Sequence, residues 1–286
     1  MKLHINALLV ILLIISFPED YFSLNEDDST KTKSISFEFG FWKPLIFGGY
    51  TQVREWQNIG QKFHLNEDLG LNKIDVYEFT LVYAISANHR VQFGLNRYFI
   101  VGQQLLTQNG FYNGTELKEN TTAVIDASRY YKIMLLDYLT IKSDRTEKLQ
   151  LIFGVSIDAI RFLVDAPYTQ TTPRKETFEQ FDKQIVPVPI IGLKWNRTID
   201  NRTSFDAEIR GGSWPGINTW YDESGTIKIW QYNFEAFIGI TKQMGPIISN
   251  LKLNYKLLSL KGESNEDTNE IFIHGLGPEI KISYQL

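Results

Sequence analysis

The chain has 286 residues, a formal net charge of −4 and no cysteine. Without a basic run, that balance excludes a nucleic-acid partner held by phosphate contacts, and the missing cysteines exclude disulfides and thiolate metal sites. Apolar residues make up 43%, which does not separate a water-soluble fold from a membrane barrel whose every second side chain faces a polar interior.

Met1-Lys2-Leu3-His4 precedes an apolar run from Ala7 to Phe17. This reads as a secretory signal, residues 1–22, too short to span a bilayer. Residues 23–33 are polar and read as a flexible lead-in. From Ile35 the chain alternates: Ile35, Phe37, Phe39 and Phe41 against Ser36, Glu38 and Gly40. Alternate side chains of a strand point to opposite faces, so this is a strand with one greasy and one wet face. Lys43 to Asn72 reads as a long connection.

Tyr77 to Ile85 alternates again, and Asn88-His89-Arg90 makes a tight turn. Val91, Phe93 and Leu95 open the next strand, whose phase is expected to slip at a bulge near Arg97, because Tyr98 and Ile100 are apolar on the other parity. Gln104–Asn120 reads as a loop. Thr122–Lys142 reads as one long strand with mixed faces, closed by a charged turn at 143–147. Leu149 to Ala159 alternates cleanly, and Asp165–Gln184 reads as a long loop. Pro187 and Pro189 lack ladder donors, so firm pairing is expected from about Ile190. A turn at Asp200-Asn201-Arg202 separates two further strands. Trp214–Gly225 reads as a loop, Lys242–Ser249 as a Gly-Pro turn and Gly262–Asn269 as an acidic loop. Ile280, Ile282, Tyr284 and Leu286 then alternate with Glu279, Lys281, Ser283 and Gln285.

Connections thus run long, short, long, short. Together these features predict an all-β, antiparallel, up-and-down transmembrane β-barrel over 34–286. It would have about ten strands, or eight as the alternative, with short periplasmic turns and long extracellular loops. The stretch 270–286 is expected to close it against Ser34–Trp42. Aromatic residues near strand ends (Trp42, Tyr83, Tyr138, Phe162, Trp195, Trp230, Tyr232, Phe272 and Tyr284) are expected to form interfacial girdles.

Parity sends one set of charges inward: Glu38, Glu78, Asp158, Lys194, Asp206, Glu208, Arg210, Glu235, Lys252, Lys256, Glu279 and Lys281. Both signs are present, so the expectation is a lumen cross-linked and plugged by polar side chains, with a narrow channel for small solutes or ions as the alternative. No catalytic or metal set is expected. His64, His89 and His274 have no ligand spacing, Gly154-Val155-Ser156 lacks the second glycine of a nucleophile elbow, and no glycine loop cradles a phosphate. No cofactor is expected. A membrane hydrolase is a third reading, and it would need carboxylate or histidine side chains converging at the loop rim. The acidic stretch Glu263–Glu270, with Asn66-Glu67-Asp68, offers oxygen ligands but no calcium-loop spacing. Asn113, Asn120, Asn196 and Asn201 begin acceptor triplets for glycosylation, which carry no meaning in a bacterium.

His64-Leu65-Asn66-Glu67-Asp68-Leu69-Gly70-Leu71 before a strand, His89-Arg90 opening the next and the loop phrase Phe111-Tyr112-Asn113-Gly114-Thr115 form one set of motifs. With Gly275-Leu276-Gly277-Pro278-Glu279 running into the last strand, they resemble the small single-chain outer-membrane β-barrel proteins of Gram-negative bacteria. Such proteins typically end in Phe, Trp or Tyr, whereas this chain ends in Leu286. The resemblance implies residence in the cell outer membrane, contact with outer-membrane lipid and lipopolysaccharide, and insertion by the barrel-assembly machinery. It implies no shared catalytic set.

Overall fold

The computed structural model describes residues 34–54, 60–86, 88–112, 115–126, 130–159, 161–165, 181–182, 187–221, 225–263 and 268–285. The expected signal segment 1–22, the lead-in 23–33 and Leu286 lie outside them. The strands are β1 (Ser34–Trp42), β2 (Leu45–Arg54), β3 (Lys62–His64), β4 (Leu71–Ala84), β5 (His89–Leu105), β6 (Gly110–Tyr112) and β7 (Thr115–Leu117). They continue as β8 (Thr122–Asp126), β9 (Tyr130–Ser143), β10 (Glu147–Ala159), β11 (Arg161–Asp165), β12 (Phe181–Asp182) and β13 (Pro187–Thr198). The last four are β14 (Thr203–Tyr221), β15 (Gly225–Met244), β16 (Ile247–Glu263) and β17 (Thr268–Gln285).

Ten of these, β1, β4, β5, β9, β10 and β13 to β17, close into an antiparallel barrel. Closure is made by β17 against β1, from Ser36↔Gln285 to Trp42↔Glu279. The connections at 85–88, 144–146, 199–202 and 245–246 are short and share one end with Ser34, here the turn end. The opposite, loop end carries the long connections 43–70, 106–129 and 160–186, and two that are as short as the turns, 222–224 and 264–267.

One parity faces outward and stays apolar. Phe39 is 55% exposed, Ile191 63% and Ile280 52%, and Phe37, Phe79, Phe93, Phe153, Ile238 and Leu253 are exposed with them. A water-soluble barrel would turn such side chains inward; this band is the face a barrel presents to lipid. The inward parity is stocked by size. Three inward glycines stand directly opposite long cations in register: Gly40↔Lys281, Gly192↔Arg210 and Gly239↔Lys252. A Cβ at Gly40 or Gly239 would meet the Lys281 or Lys252 Cγ at 3.0 and 2.8 Å. The missing side chain is where the neighbouring stem lies.

Several expectations are corrected. No phase slip occurs at Arg97: Gly94, Asn96, Tyr98, Ile100 and Gly102 all face inward, and the register shift falls instead at Leu71/Lys73. The change is chemical, because the interior turns apolar at Tyr98. The span 122–142 is two strands, β8 and β9. Trp214–Gly225 is mostly strand, since β14 runs to Tyr221 past a register shift between Trp214 and Ile217. That shift accommodates Pro215 and Gly216, whose φ is 58°. Gly262 and Glu263 likewise belong to β16. The four last strands hold 17 to 20 residues each, beyond the roughly 9–11 that cross a bilayer, so their tips project at the loop end. Pairing of β13 with β10 begins at Pro187, whereas pairing with β14 begins at Ile191. Most of 165–184 lies outside the described residues.

The connection 43–70 is structured in its described parts, 43–54 and 60–70. After a break at Lys43-Pro44, β2 continues the β1 line and pairs with the loop-end half of β17. On its other side β2 meets β3 rather than β4. The turn 65–70 fills the gap. The Asn66 amide donates to the Ile46 carbonyl at 2.7 Å, and the Leu65 N–H donates to the Gly49 carbonyl at 3.1 Å. Leu65, Leu69 and Leu71 point inward at 0% exposure. Gly70, at φ 61°, allows the turn its left-handed step.

Candidate functional site

The interior divides into three levels. At the turn end lies a cavity of about 400 Å³, lined by Ser34, Glu38, Arg90, Lys194, Asp206, Phe237 and Lys252 among others. At the loop end an apolar cluster fills the interior: Trp42, Ile46, Phe63, Leu65, Leu69, Ile74, Tyr98, Ile100, Leu260, Ile271 and their neighbours. A second cluster of Met134, Leu136, Tyr138, Ile152, Val188 and Ile190 lines the wall of β9, β10 and β13. Between cavity and main cluster lies a charged level.

That level is built by inward positions of several strands, some neighbouring and some apart around the wall. Glu78 on β4 receives the ammonium of Lys256 from β16, that of Lys281 from β17 at 2.6 Å and the amide of Asn96 from β5 at 3.1 Å. Lys281 also reaches Glu279 at 3.1 Å, and Asn254 donates to Glu279. Across the lumen, Glu235 on β15 receives Lys132 from β9 at 2.6 Å and the Arg210 guanidinium from β14. Arg210 is shared with Glu208 at 2.8 Å. Asp158 on β10 differs, since its donors are neutral: Tyr130 at 2.7 Å, Gln231 at 2.6 Å and Asn233 at 2.7 Å. A pocket of about 40 Å³ beside Trp42, Tyr98, Tyr130, Lys132, Glu235 and Lys256 separates this level from the apolar cluster, with room for water.

All twelve charges named from the sequence stand in this interior. Eight of them (Glu78, Arg210, Glu208, Glu235, Lys256, Glu279, Lys281 and Asp158) belong to the paired level. Asp206 accepts from Asn196 at 2.8 Å and from Thr241. Glu38, Lys194 and Lys252 line the turn-end cavity. Lys132, Tyr130 and Arg90 were not expected in the lumen, whereas Asn96, Gln231 and Asn233 share the inward parity without carrying charge. The mixed stretch around Met134-Leu135-Leu136 hid the first two, because β9 is apolar on both faces there.

Two girdle expectations fail. Trp42 and Tyr138 face inward at 3% and 1% exposure. The indole of Trp42 donates to the Gly277 carbonyl at 3.2 Å and packs under the main cluster. The Phe162 side chain lies outside the described residues. His89 is not merely a turn residue: it opens β5 and lies 2.7 Å from Asp137 on the outward face. His274 packs edge-on against Phe47, with ring centroids 4.8 Å apart. Among the described residues, no three His, Asp or Glu side chains are grouped to hold a metal.

This geometry defines a closed ten-strand barrel with a lipid-facing exterior, the fold of the outer-membrane β-barrels. No protein-family model matches the chain, and no curated protein matches its sequence. Among solved structures, the outer-membrane protease OmpT from Escherichia coli aligns with 10% identity over 92% of this chain and 99% of its own, with a TM-score of 0.55. At that identity the likeness is one of fold alone. The translocator domain of the autotransporter NalP from Neisseria meningitidis is 10% identical over 98% of this chain and 95% of its own, at a TM-score of 0.37. Ail from Yersinia pestis is 8% identical over 87% and 99%, at 0.26. Neither of these two superposes well enough to bear on the fold.

Proposed function

We propose that this is a Gram-negative outer-membrane barrel with a plugged lumen that acts through its loop-end surface, in a structural or surface-contact role. The turn end faces the periplasm and the loop end faces outward. The observation that carries the reading is the charged level itself, with Glu78 joined by cations from β16 and β17 and Glu235 by cations from β14 and β9, beneath an apolar cluster. A conducting path would have to part both. The barrel-assembly machinery is its insertion partner.

A contact with lipopolysaccharide is supported by cations laid over aromatic rings near the loop end. Lys228 and Lys261 flank Trp230 at 4.9 and 5.0 Å from the ring centroid, Lys62 covers Tyr50 at 3.3 Å, and Arg97 covers Phe99 at 4.5 Å. Such groups suit an anionic headgroup region.

The deciding measurement is planar-bilayer conductance of protein shown to be folded by heat-dependent gel mobility. No steps are expected. Steady conductance altered by Glu235→Gln would establish the channel instead. Protease added to intact cells should cut within Gln104–Asn120 and spare the turn at 199–202; cuts confined to the turns would invert the orientation.

A further inference from the structure

In the charged level every cation is matched, whereas at the turn-end cavity the matching fails. Arg90, Lys194 and Lys252 line that cavity, and among the described residues none of them takes part in an ion pair. Each lies against a neutral ring. Lys252 covers Phe237 with its Nζ 3.9 Å from the centroid, Lys194 approaches the same ring at 5.9 Å, and Arg90 covers Tyr138 at 4.3 Å. The Arg90 Nε is buried with no acceptor. A ring face holds a cation in place but leaves its charge uncancelled.

The carboxylates nearby are mostly committed. Glu208 is paired with Arg210, and Glu78 and Glu279 with Lys256 and Lys281, whereas Asp206 accepts from the neutral Asn196 and Thr241 and keeps its charge. Glu38 shares the cavity, so Arg90, Lys194 and Lys252 there face two carboxylates, Glu38 and Asp206. Positive charge is in excess, inside low-dielectric walls that strengthen any attraction to an anion. The position is built rather than incidental, since Gly239 opposite Lys252 leaves the room in which its stem crosses toward Phe237.

We propose that the turn-end cavity is a binding site for a small soluble oxyanion carrying phosphate, held by Arg90, Lys194 and Lys252. The ammonium and guanidinium groups donate charge-assisted hydrogen bonds to its oxygens, and the 400 Å³ volume admits a molecule of that size. The site uses the same lumen as the proposed plug but sits on its turn-end side. Conductance therefore tests the plug and anion binding tests this site, and either can fail alone.

The experiment is calorimetric titration of inorganic phosphate into the full refolded barrel in a phosphate-free zwitterionic detergent. Saturable binding is expected. Lys252→Met and Lys194→Met should each weaken it about tenfold, Glu38→Gln should tighten it, and Lys228→Met on the exterior should leave it unchanged. In the unmutated protein, phosphate should protect Lys194 and Lys252, but not Lys228, from amine acetylation read by mass spectrometry. Absence of saturable heat, equal binding in the Lys194→Met/Lys252→Met variant, or no selective protection overturns the proposal. The protection arm needs no variant to fold.

Discussion

Glu78 is the most heavily loaded carboxylate in the interior, and replacing it by glutamine tests the charged level directly. The substitution keeps the shape of the side chain and removes its charge. Of Lys256 and Lys281, brought to it from two other strands, Lys281 then keeps Glu279 and Lys256 loses its ion pair. One ammonium is left in a site where the Glu78 side chain is 3% exposed. Removing one partner of a buried pair costs about 3–5 kcal/mol, because the survivor stays desolvated and unmatched. Glu78 also borders the turn-end cavity, where water can relieve part of that cost, so the lower end, about 3 kcal/mol, is expected. The assay is a urea titration of refolding, followed by tryptophan fluorescence and by gel mobility without boiling. Trp42, whose ring lies 4.8 Å from the Lys256 Nζ, places a fluorophore beside the event. Adding Lys256→Met should recover more than half of the loss, since it removes the stranded charge. A loss below about 1 kcal/mol for Glu78→Gln, or strictly additive losses in the double variant, would refute the argument.

Ile280→Arg places a charge on the lipid face, at a site 52% exposed, and should cost about 2–4 kcal/mol near the midplane. The adjacent Lys281→Gln, on the inward face, should be costly as well, because Lys281 joins Glu78 and Glu279; equal tolerance of arginine at both positions would deny the strand its two faces. Gly239→Leu should destabilise by about 1–3 kcal/mol through overpacking, because its Cβ would meet the Leu251 carbonyl at 2.7 Å and the Lys252 stem at 2.8 Å; a wild-type urea midpoint would count against that packing. In the turn at 144–146, backbone N–H groups of Thr146 and Glu147 hold the Asp144 carboxyl below its ordinary value. Its contribution is therefore present above the unfolded carboxylate range and is lost as pH falls through the depressed value. The urea-midpoint difference between wild type and Asp144→Ala should shrink on acidification, and a difference that grew would reverse the sign.

The outer face was legible from sequence because lipid imposes one chemistry on every second residue, as in Phe37-Phe39-Phe41 or Ile280-Ile282-Tyr284. The inner face was legible only where it is charged. At Tyr98 and Ile100 the lumen becomes apolar without any change of register, so two apolar parities in succession looked like a bulge. Met134 and Leu136 misled in the same way and concealed Lys132. Which charges pair is a matter of barrel curvature: Lys132 and Glu235 are 103 positions apart, and no local spacing brings them together. The turns at 144–146 and 199–202 were plain because Asp144 and Asp200 accept from backbone N–H groups one turn on. The strand extensions beyond Trp214 and Gly262 were hidden by polar residues that also suit loops.

The break at Lys43-Pro44 has a kinetic meaning. Most neighbouring strands of the barrel are joined by their own turn, but β17 must find β1 across nearly the whole chain; the Trp42 to Gly277 bond spans 235 positions. Loop-closure entropy grows by only about 0.6 kcal/mol per doubling, so closing that circuit costs roughly 3 kcal/mol more than closing a hairpin. Seven residue pairs of β1 reward the encounter, and eight more become available when β2 follows along the same strand. The final ring-forming step is therefore a zipper in two lengths with a proline between them.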